Sequence, residues 1–492
     1  MVNLTSSSVF MKSILAVLAG IPAAIAQPVQ SDYYLREEIP LPKDEVMEVS
    51  SIALMPGRKV AVATRRGDVW ICEGAYEADL SKVKWSRFAR NLHEPLGMFY
   101  KDGSLTLTQR PEVTRLRDTN NDGRADAFET LGSGWGISGD YHEYAFGSEP
   151  DKNGDIWVAL CLTGSMGAKS QWRGWAMRVT AKGEVIPAVS GLRSPGGIGS
   201  NAEGDLFFTD NQGPWNGSSS LKWLKPGSFQ GNPSGNIYYT QTDEIGPRPP
   251  DPTNESRIVS ERRRIPAFVP PAVVFPHAKV GNSPTGIAVD LSKGKFGPWE
   301  KQLYVGEQTQ SQVQRVCLEK VNGLYQGAVF HFLEGFEAGI IPVRFDPQDG
   351  TIFVGGSNRG WGSRGSKPFT FERVRWNGKV PFEIKEMKAR PDGFELTFTE
   401  PIDPKTGSDI ASYPMKSWTY IYQAAYGSPE VDLSEPKVVE AKVSGDGLSV
   451  RLKVKGLVQG NVHYLDGKAL RSAKNGALLH PEAWYTLNEI PK

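Results

Sequence analysis

The sequence predicts an all-β protein, a six-bladed β-propeller followed by a small immunoglobulin-like β-sandwich. Three observations lead to this fold class. A pair of short apolar strands joined by a polar glycine turn recurs six times along the chain. Turn-forming residues are abundant, with 53 glycines and 35 prolines among 492 residues. Sustained helical periodicity is absent, which favours strands over helices.

The repeated unit is typified by Gly197-Ile-Gly, the turn Ala-Glu-Gly and Asp205-Leu-Phe-Phe. The units recur about every 45 to 55 residues, the spacing of four-stranded propeller blades. One interval is stretched by residues 224–283, which are rich in Pro and Gly. The other five units begin at Ser51, Leu96, Tyr144, Gly286 and Val343. Six such units predict six blades.

The N-terminus has the pattern of a secretory signal. Lys12 precedes an apolar run over residues 13–25, and the small residues Ala24 and Ala26 stand before Gln27 as a cleavage site. We therefore expect a cleaved signal peptide over residues 1–26 and a periplasmic or extracellular mature protein. No later segment is apolar enough to predict a membrane span.

The pattern of the chain changes after residue 376. Segments 393–399 and 448–454 alternate apolar and polar residues with period two, as half-buried sandwich strands do. The sequence thus predicts a propeller over residues 27–376 and an immunoglobulin-like module over residues 377–492. The C-terminal module shows no cluster of candidate catalytic residues, which favours a spacer or docking role.

Composition excludes several functional classes. The formal net charge is +1, which gives no reason to expect nucleic acid or an anionic membrane surface as a partner. The three cysteines, Cys72, Cys161 and Cys317, lie far apart in or beside apolar strands. Their odd number permits at most one internal disulfide, and buried free thiols are the favoured interpretation.

Polar residues at equivalent points of the repeats are the candidate site. In an antiparallel blade, the segment before the first strand and the turn after the second strand lie on one face. We therefore expect His142, Arg193 and Gln212 to share one polar cavity at the mouth of the central channel. The alternative is that such residues only cap strand ends. Turn residues that join the same set are Arg110, Gly213, Pro214 and Arg359.

An acidic loop, "DTNNDGRADAFE" over residues 118–129, matches the spacing of an EF-hand calcium loop. Its expected calcium ligands are Asp118, Asn120, Asp122, the carbonyl of Arg124, Asp126 and Glu129. The flanking sequence is strand-like, and the loop follows the third strand of its blade. We therefore expect a structural Ca²⁺ clip on the outer edge, opposite the cavity. A metal-free acidic turn is the alternative.

Three segments carry a family resemblance. They are His142 ahead of "FGSEPDKNGDIWVAL", "GLRSPGGI" over residues 191–198 and "FFTDNQGP" over residues 207–214. Through them, residues 45–376 resemble the secreted PQQ-dependent aldose and sorbosone dehydrogenase-like proteins, which are six-bladed propellers. The resemblance implies pyrroloquinoline quinone (PQQ) and Ca²⁺ as cofactors, and relatives with a cytochrome c domain imply a separate cytochrome as electron acceptor.

The resemblance also implies roles for individual residues. His142 would accept the hydroxyl proton of the substrate while hydride leaves for the quinone, since histidine titrates near neutral pH. Arg193 would stabilise negative charge on the quinone oxygen. The carbonyls of Gln212, Gly213 and Pro214 would hold the Ca²⁺ that clamps the quinone.

The chain departs from the family pattern at several cofactor positions. Ser194 replaces an asparagine, residues 306–312 lack the usual lysine, and the arginine pair expected before Arg344 is absent. PQQ carries three carboxylates, so these losses weaken its expected binding directly. Arg110 and Arg359 are the available substitutes.

Three functions follow from these observations. The leading one is a periplasmic quinone-dependent oxidoreductase that oxidises a sugar or a sugar-derived alcohol or aldehyde. The alternative is a non-catalytic propeller that binds glycans through the aromatic residues Tyr141, Tyr144, Trp215 and Trp361. The third is a propeller hydrolase or lactonase, which would need a metal held by Glu94, Glu143, Asp210 or Glu307.

Overall fold

The computed structural model describes residues 27–492, and its regular secondary structure is almost entirely antiparallel β-sheet. The all-β prediction is confirmed. The expected signal peptide at residues 1–26 lies outside the described residues. Within the described range there are 32 strands, and no helix there is long and apolar enough to cross a membrane.

Six sheets follow one another along the chain. After β1 (Tyr34–Glu38), the first sheet contains β2 (Val49–Met55), β3 (Lys59–Thr64), β4 (Val69–Glu73) and β5 (Lys84–Ala89). The second contains β6 (Met98–Lys101), β7 (Ser104–Thr108), β8 (Glu112–Arg117) and β9 (Ala127–Ser133). The third contains β10 (Ala145–Pro150), β11 (Ile156–Leu160), β12 (Trp175–Val179) and β13 (Val185–Ser190).

The remaining three sheets of the series follow the same order. The fourth contains β14 (Pro195–Ser200), β15 (Leu206–Asp210), β16 (Ser219–Trp223) and β17 (Val273–Phe275). The fifth begins with β18 (Pro284–Val289), β19 (Leu303–Glu307), β20 (Gln312–Val321) and β21 (Leu324–Leu333). The sixth contains β22 (Ile340–Phe345), β23 (Ile352–Ser357) and β24 (Phe369–Trp376).

The six sheets are arranged cyclically. The first strand of each sheet contacts the first strand of the next, and β22 contacts β2. Strand β1 supplies the fourth strand of the sixth sheet by pairing with β24, so the N-terminal end of the described chain joins its last repeat. Glycines permit the close approach of neighbouring sheets, since a Cβ on Gly197 would lie 2.8 Å from the Cα of Gly286.

The C-terminal residues form two further groups of strands. They are β25 (Ile384–Arg390), β26 (Gly393–Phe398), β27 (Met415–Tyr420), β28 (Glu430–Ser434), β29 (Lys437–Val443), β30 (Ser449–Lys455), β31 (Val462–Asp466) and β32 (Glu482–Thr486). Four of them form a separate sheet in the order β25-β26-β30-β29. The other four extend the fifth sheet, where β32 pairs with β21 and the order continues through β31, β27 and β28.

Helical elements are short. The α-helices are α1 (Ile258–Arg264) and α2 (Pro404–Ser408). The 3-10 helices are Gln30–Asp32, Pro56–Arg58, Leu80–Lys82, Pro233–Gln241 and Ile410–Ser412. The longest of them, Pro233–Gln241, lies in the Pro- and Gly-rich interval and is capped by the Asn232 side chain, which accepts from the Ser234 amide.

The hydrophobic core is divided among the interfaces between sheets. One cluster joins the fifth sheet to its C-terminal extension, with Val305 and Val329 packed together with Trp418 and Trp484. All three cysteines are buried and free, as the sequence led us to expect. Burial raises the pKa of the Cys161 thiol to about 12, so it stays protonated at neutral pH.

Candidate functional site

One end of the cyclic arrangement gathers the segments before each first strand and the turns after each second strand. In the second sheet, the β7–β8 turn lies at this end, while the β6–β7 hairpin at Lys101 and Ser104 lies at the other. We call the first end the mouth. The acidic loop joins Arg117 to Ala127 and therefore leaves the second sheet at the end opposite the mouth.

A cavity of about 430 Å³ opens at the mouth. Its walls come from the first, second and sixth sheets and from the segment that precedes the third. The lining residues are Arg65, Arg66, Leu92, His93, Glu94, Arg110, Ile137, Gly139, Tyr141 and Arg359. Four of these ten residues are arginines and one is a glutamate, so positive charge prevails in the cavity.

A buried ion-pair triad forms the floor of this cavity. Glu94 Oε1 accepts from Arg65 Nε at 2.7 Å, and Glu94 Oε2 accepts from Arg110 Nε at 2.7 Å. All three side chains are buried. Burial opposes ionisation of Arg65, but Glu94, Tyr144 and Tyr141 outweigh it, and the pKa of Arg65 is raised. Both oxygens of the single carboxylate are thus engaged by two permanent cations.

The remaining donors of the triad fix the neighbouring backbone. Arg110 donates to the carbonyls of Asp140 at 2.9 Å and Tyr141 at 2.7 Å. Arg65 donates to the hydroxyls of Tyr141 and Tyr144, each at 3.1 Å. The triad therefore sets the position of the segment that carries His142.

A second, more exposed charge cluster forms the rim. Arg66 makes a bidentate pair with Glu48 at 3.0 and 3.2 Å, and Arg359 Nη1 lies 3.5 Å from the same carboxylate. The side chains of Arg66 and Arg359 are 53% and 34% exposed. The rim, like the floor, therefore has two arginines and one glutamate.

His142 lies beside this cavity and is not among its lining residues. Its side chain is 41% exposed, and Nδ1 lies 3.8 Å from Asp140 Oδ1. Burial raises the pKa of Asp140, but amide donors from Gly164 and His142 outweigh it, and the pKa is lowered. His142 therefore stands next to an ionised carboxylate and is open to solvent, an arrangement suited to a proton acceptor.

Arg193 is buried at a different point of the mouth. Its Nε donates to the Ser165 carbonyl at 3.0 Å and its Nη1 to the Gln212 carbonyl at 2.6 Å. The ring of Tyr426 covers the guanidinium, with 5.1 Å between Cζ and the ring centroid. The structure brings Arg193 and Gln212 together, but neither lines the cavity that holds Arg65 and Arg110.

The three backbone carbonyls expected to hold a cofactor's calcium are also engaged. The Gln212 carbonyl accepts from Arg193 at 2.6 Å. The Gly213 carbonyl accepts from the amides of Asn216 at 3.0 Å and Gly427 at 3.2 Å. The Pro214 carbonyl accepts from Asn232 Nδ2 at 3.0 Å. Protein donors occupy the place that the resemblance assigns to the metal.

The covering segment comes from the C-terminal part of the chain. Residues 423–427, which we call the strap, follow β27 and lie across residues 212–215. The Trp215 amide donates to the Gln423 carbonyl at 2.7 Å, and Pro214 forms a bridge with Tyr426. Arg193 and these carbonyls would have to give up their present protein contacts, several of them with the strap, to bind a quinone and Ca²⁺. The residues present in this arrangement do not fit a PQQ–Ca²⁺ pair.

The acidic loop forms a turn closed by its own side chains. Asp118 accepts from the amides of Asp122 at 3.1 Å and Gly123 at 2.8 Å, and Asp122 accepts from the Arg124 amide at 2.9 Å. Asn120 also accepts from the Asp122 amide at 2.9 Å. Asp126 accepts from the Thr119 amide and hydroxyl, and these bonds lower its pKa.

The last expected ligand of this loop lies apart from the others. Glu129 is on β9 and pairs with Arg117 at 3.1 Å and Arg115 at 3.5 Å, both on β8. Among the described residues, no group of three or more His, Cys, Asp or Glu side chains is arranged to hold a metal ion. The loop thus brings together its first three ligands but directs the glutamate elsewhere.

The acidic residues that a hydrolase would need are dispersed. Glu94 pairs with arginines, Asp210 pairs with Lys222 at 2.8 Å, and Glu143 accepts from the Thr163 hydroxyl at 2.6 Å. Glu307 accepts from the Asn282 amide at 2.9 Å. Each carboxylate already has its own partner, so they form no shared metal centre.

Sequence reasoning missed Arg65, Glu48 and the strap. Arg65 occupies the turn after the second strand of the first repeat, the same position that identified Arg110 and Arg359 in theirs. The rule applied to the first repeat would have found it. No local pattern pointed to the strap, because its contacts with residues 212–215 span about half the chain.

The chain matches the model of the family DUF7133, described as a domain of unknown function, over residues 56–326. It belongs to that family. A comparison with the curated proteins found no match to the sequence of this chain. Solved structures similar to it include a glucose dehydrogenase-type oxidoreductase from Thermus thermophilus, with 18% identity and a TM-score of 0.49 over 69% of this chain and 99% of the other.

Two further similar structures carry PQQ in their descriptions. The PQQ-bound aldose sugar dehydrogenase from Streptomyces coelicolor has 14% identity and a TM-score of 0.49, with 72% of this chain and 100% of the other covered. The holo form of the pyranose dehydrogenase PQQ domain from Coprinopsis cinerea has 13% identity and a TM-score of 0.48, with 72% and 99% covered. These neighbours are of the sugar dehydrogenase type that the sequence motifs resemble.

Proposed function

We propose that the mouth cavity binds a sugar or a sugar-derived small molecule. The observation that carries this proposal is the cavity of about 430 Å³ in which an aromatic ring, Tyr141, stands beside a fixed set of guanidinium donors. Its volume lies in the range of small-molecule sites, which is roughly 300 to 1,000 Å³. Carbohydrate recognition needs this combination, because a sugar has an apolar C–H face and a rim of hydroxyls.

The floor is suited to binding without rearrangement. Arg65 and Arg110 both pair with Glu94, and the remaining donors of the two arginines are bonded to backbone and tyrosine oxygens. A ligand therefore meets a rigid surface and loses little ordering entropy on that side. Arg66 and Arg359 at the rim are partly exposed and retain freedom to reach ligand hydroxyls.

The second candidate is oxidation of the sugar, as the sequence motifs indicate. Its specific support is the Asp140–His142 pair beside the cavity, because a histidine next to a carboxylate can take the proton of a hydroxyl group. A separate electron-accepting cytochrome would be the partner of this activity. A quinone would reach Arg193 and residues 212–214 only after the strap moves away, since the strap now supplies their contacts.

The same proposal includes the finer architecture and the location. The six cyclic sheets are the blades of a six-bladed propeller over residues 27–376. Residues 377–492 are an immunoglobulin-like sandwich, supported by a shared core in which Leu396 and Leu452 pack with Leu465 and Tyr485. Residues 1–26 act as a cleaved signal, which makes the mature protein periplasmic or extracellular.

Calorimetric titration of the mature chain with a panel of neutral and acidic monosaccharides tests the primary candidate. We expect binding that is weakened by Tyr141→Leu, which removes the ring, and unchanged by Phe128→Ala, which removes an exposed ring on β9. Dye reduction with the same sugars in PQQ and Ca²⁺ tests the second candidate. Absence of binding by every sugar would contradict the primary one.

A further inference from the structure

We infer that the ligand of the mouth cavity carries an anionic group, a carboxylate or a sulfate ester, and that Arg359 and Arg66 bind this group at the rim. The inference rests on the proposed function and narrows it to acidic sugars, of which uronic acids and sugar sulfates are the two sources of such a group.

The floor of the cavity holds uncompensated positive charge. Glu94 bridges Arg65 and Arg110, and one carboxylate cannot neutralise two guanidinium ions. The three side chains are buried, so water screens this excess charge poorly. The positive potential in the cavity would therefore stabilise a bound anion and would not stabilise a neutral sugar to the same extent.

The rim adds a second excess charge and supplies free donors. Glu48 is shared by Arg66 and Arg359, so this pair of arginines is again neutralised only in part. Within the described residues, Arg359 donates one side-chain hydrogen bond, from Nη1 to the Arg65 carbonyl at 3.3 Å, and Nη1 lies 3.5 Å from Glu48 Oε2. Its Nε and Nη2 donate no hydrogen bond to the protein there. Two such donors match the geometry of a carboxylate or sulfate.

No other acid of the lining offsets this field. Glu94 is the single carboxylate among the residues that line the cavity. Asp140 on the adjoining segment carries a charge that interacts with Arg110, so four arginines face three carboxylates, Glu94, Glu48 and Asp140, and one positive charge remains in excess.

The experiment is calorimetric titration of the mature chain with matched sugars. Glucuronate and galacturonate are compared with glucose and galactose, and glucose 6-sulfate tests the ester. Sodium acetate and sodium sulfate test the anion alone. We expect the charged sugars to bind at least about tenfold more tightly than their neutral counterparts, a difference that decreases as NaCl is raised.

Arg359→Gln should remove most of the preference for charged sugars, because it lowers charged-sugar affinity by more than it lowers neutral-sugar affinity. Arg390→Gln is the matched control, because Arg390 is a similarly exposed arginine paired with Glu395 in the C-terminal sheet. Should Arg359→Gln fail to fold, Arg66→Gln at the more exposed rim position gives the same test with a smaller loss.

The outcomes separate the two proposals. Equal affinity for glucuronate and glucose would overturn this inference and leave sugar binding in place. Absence of binding by any sugar would overturn the proposed function. Acetate or sulfate binding as tightly as the charged sugars would show an anion site without sugar recognition and would overturn both. Binding of glucuronate but not of glucose 6-sulfate, or the reverse, would identify the source of the anionic group and support the inference.

Discussion

The Arg193 guanidinium donates to the Gln212 carbonyl at 2.6 Å, and this hydrogen bond joins two of the residues that the sequence assigned to cofactor binding. Tyr426 from the strap lies over the same guanidinium. Because a charged donor and its acceptor are paired inside the protein, a ligand at this point would have to break a charge-assisted bond before making its own.

We predict from this relationship that PQQ leaves the thermal midpoint of the wild-type chain unchanged when Ca²⁺ is present throughout. A ligand that binds the folded state raises the midpoint by mass action, so a silent result means no binding. Differential scanning fluorimetry with and without PQQ, at the same Ca²⁺ concentration, measures it. Tyr426→Ala and the control Leu433→Ala, both exposed residues of the C-terminal part, show whether the strap is the cause. A clear rise in the wild type would contradict this prediction.

The buried triad leads to a stability prediction. Glu94→Gln should lower stability by about 3 to 5 kcal/mol, because it leaves two buried arginines without their shared counter-charge. Glu395→Gln, which removes a partly exposed pair with Arg390, should cost less than about 1 kcal/mol. Thermal midpoints of the two variants provide the comparison. Equal midpoints would mean that the triad is as weak as a surface pair.

The fold could be predicted further than the site. Alternating strands and glycine turns are local signals, and they led to the repeated sheets and to Arg110 and Arg359 at equivalent turns. The resemblance of residues 207–214 to a calcium-holding motif was equally local, and it could not foresee that Gly427 donates to the Gly213 carbonyl. Contacts between residues so distant in the chain leave no periodic trace in the sequence. The pairing of Glu129 with two arginines across β8 and β9 likewise left no pattern in the sequence.

The acidic loop gives a prediction that distinguishes the contributions of Asp118 and Glu129 to Ca²⁺ binding. If the loop binds Ca²⁺, the ion should raise the thermal midpoint, and Asp118→Ala should abolish most of that rise. Glu129→Gln should reduce it less, because Glu129 pairs with Arg115 and Arg117 instead of facing the turn. Midpoints with Ca²⁺ and with chelator measure both effects. Identical midpoints in the two conditions for the wild type would rule out the clip.

The last prediction contrasts two histidines at the mouth. His142 is partly exposed and lies outside the cavity lining, whereas His93 belongs to that lining. We therefore expect His142→Ala to leave both the thermal midpoint and sugar affinity nearly unchanged, and His93→Ala to alter sugar affinity.

If the chain oxidises sugars, the same His142→Ala variant should lose turnover by a factor of about 10² to 10⁴, the usual effect of removing a positioned proton acceptor. Dye reduction and calorimetry on both variants, with melting curves as the control for folding, give the answer. Full turnover by a folded His142→Ala variant would exclude this histidine as the base. Measurable binding without turnover in the wild type would instead favour the binding function, because the ligand would then enter the cavity and leave it unchanged.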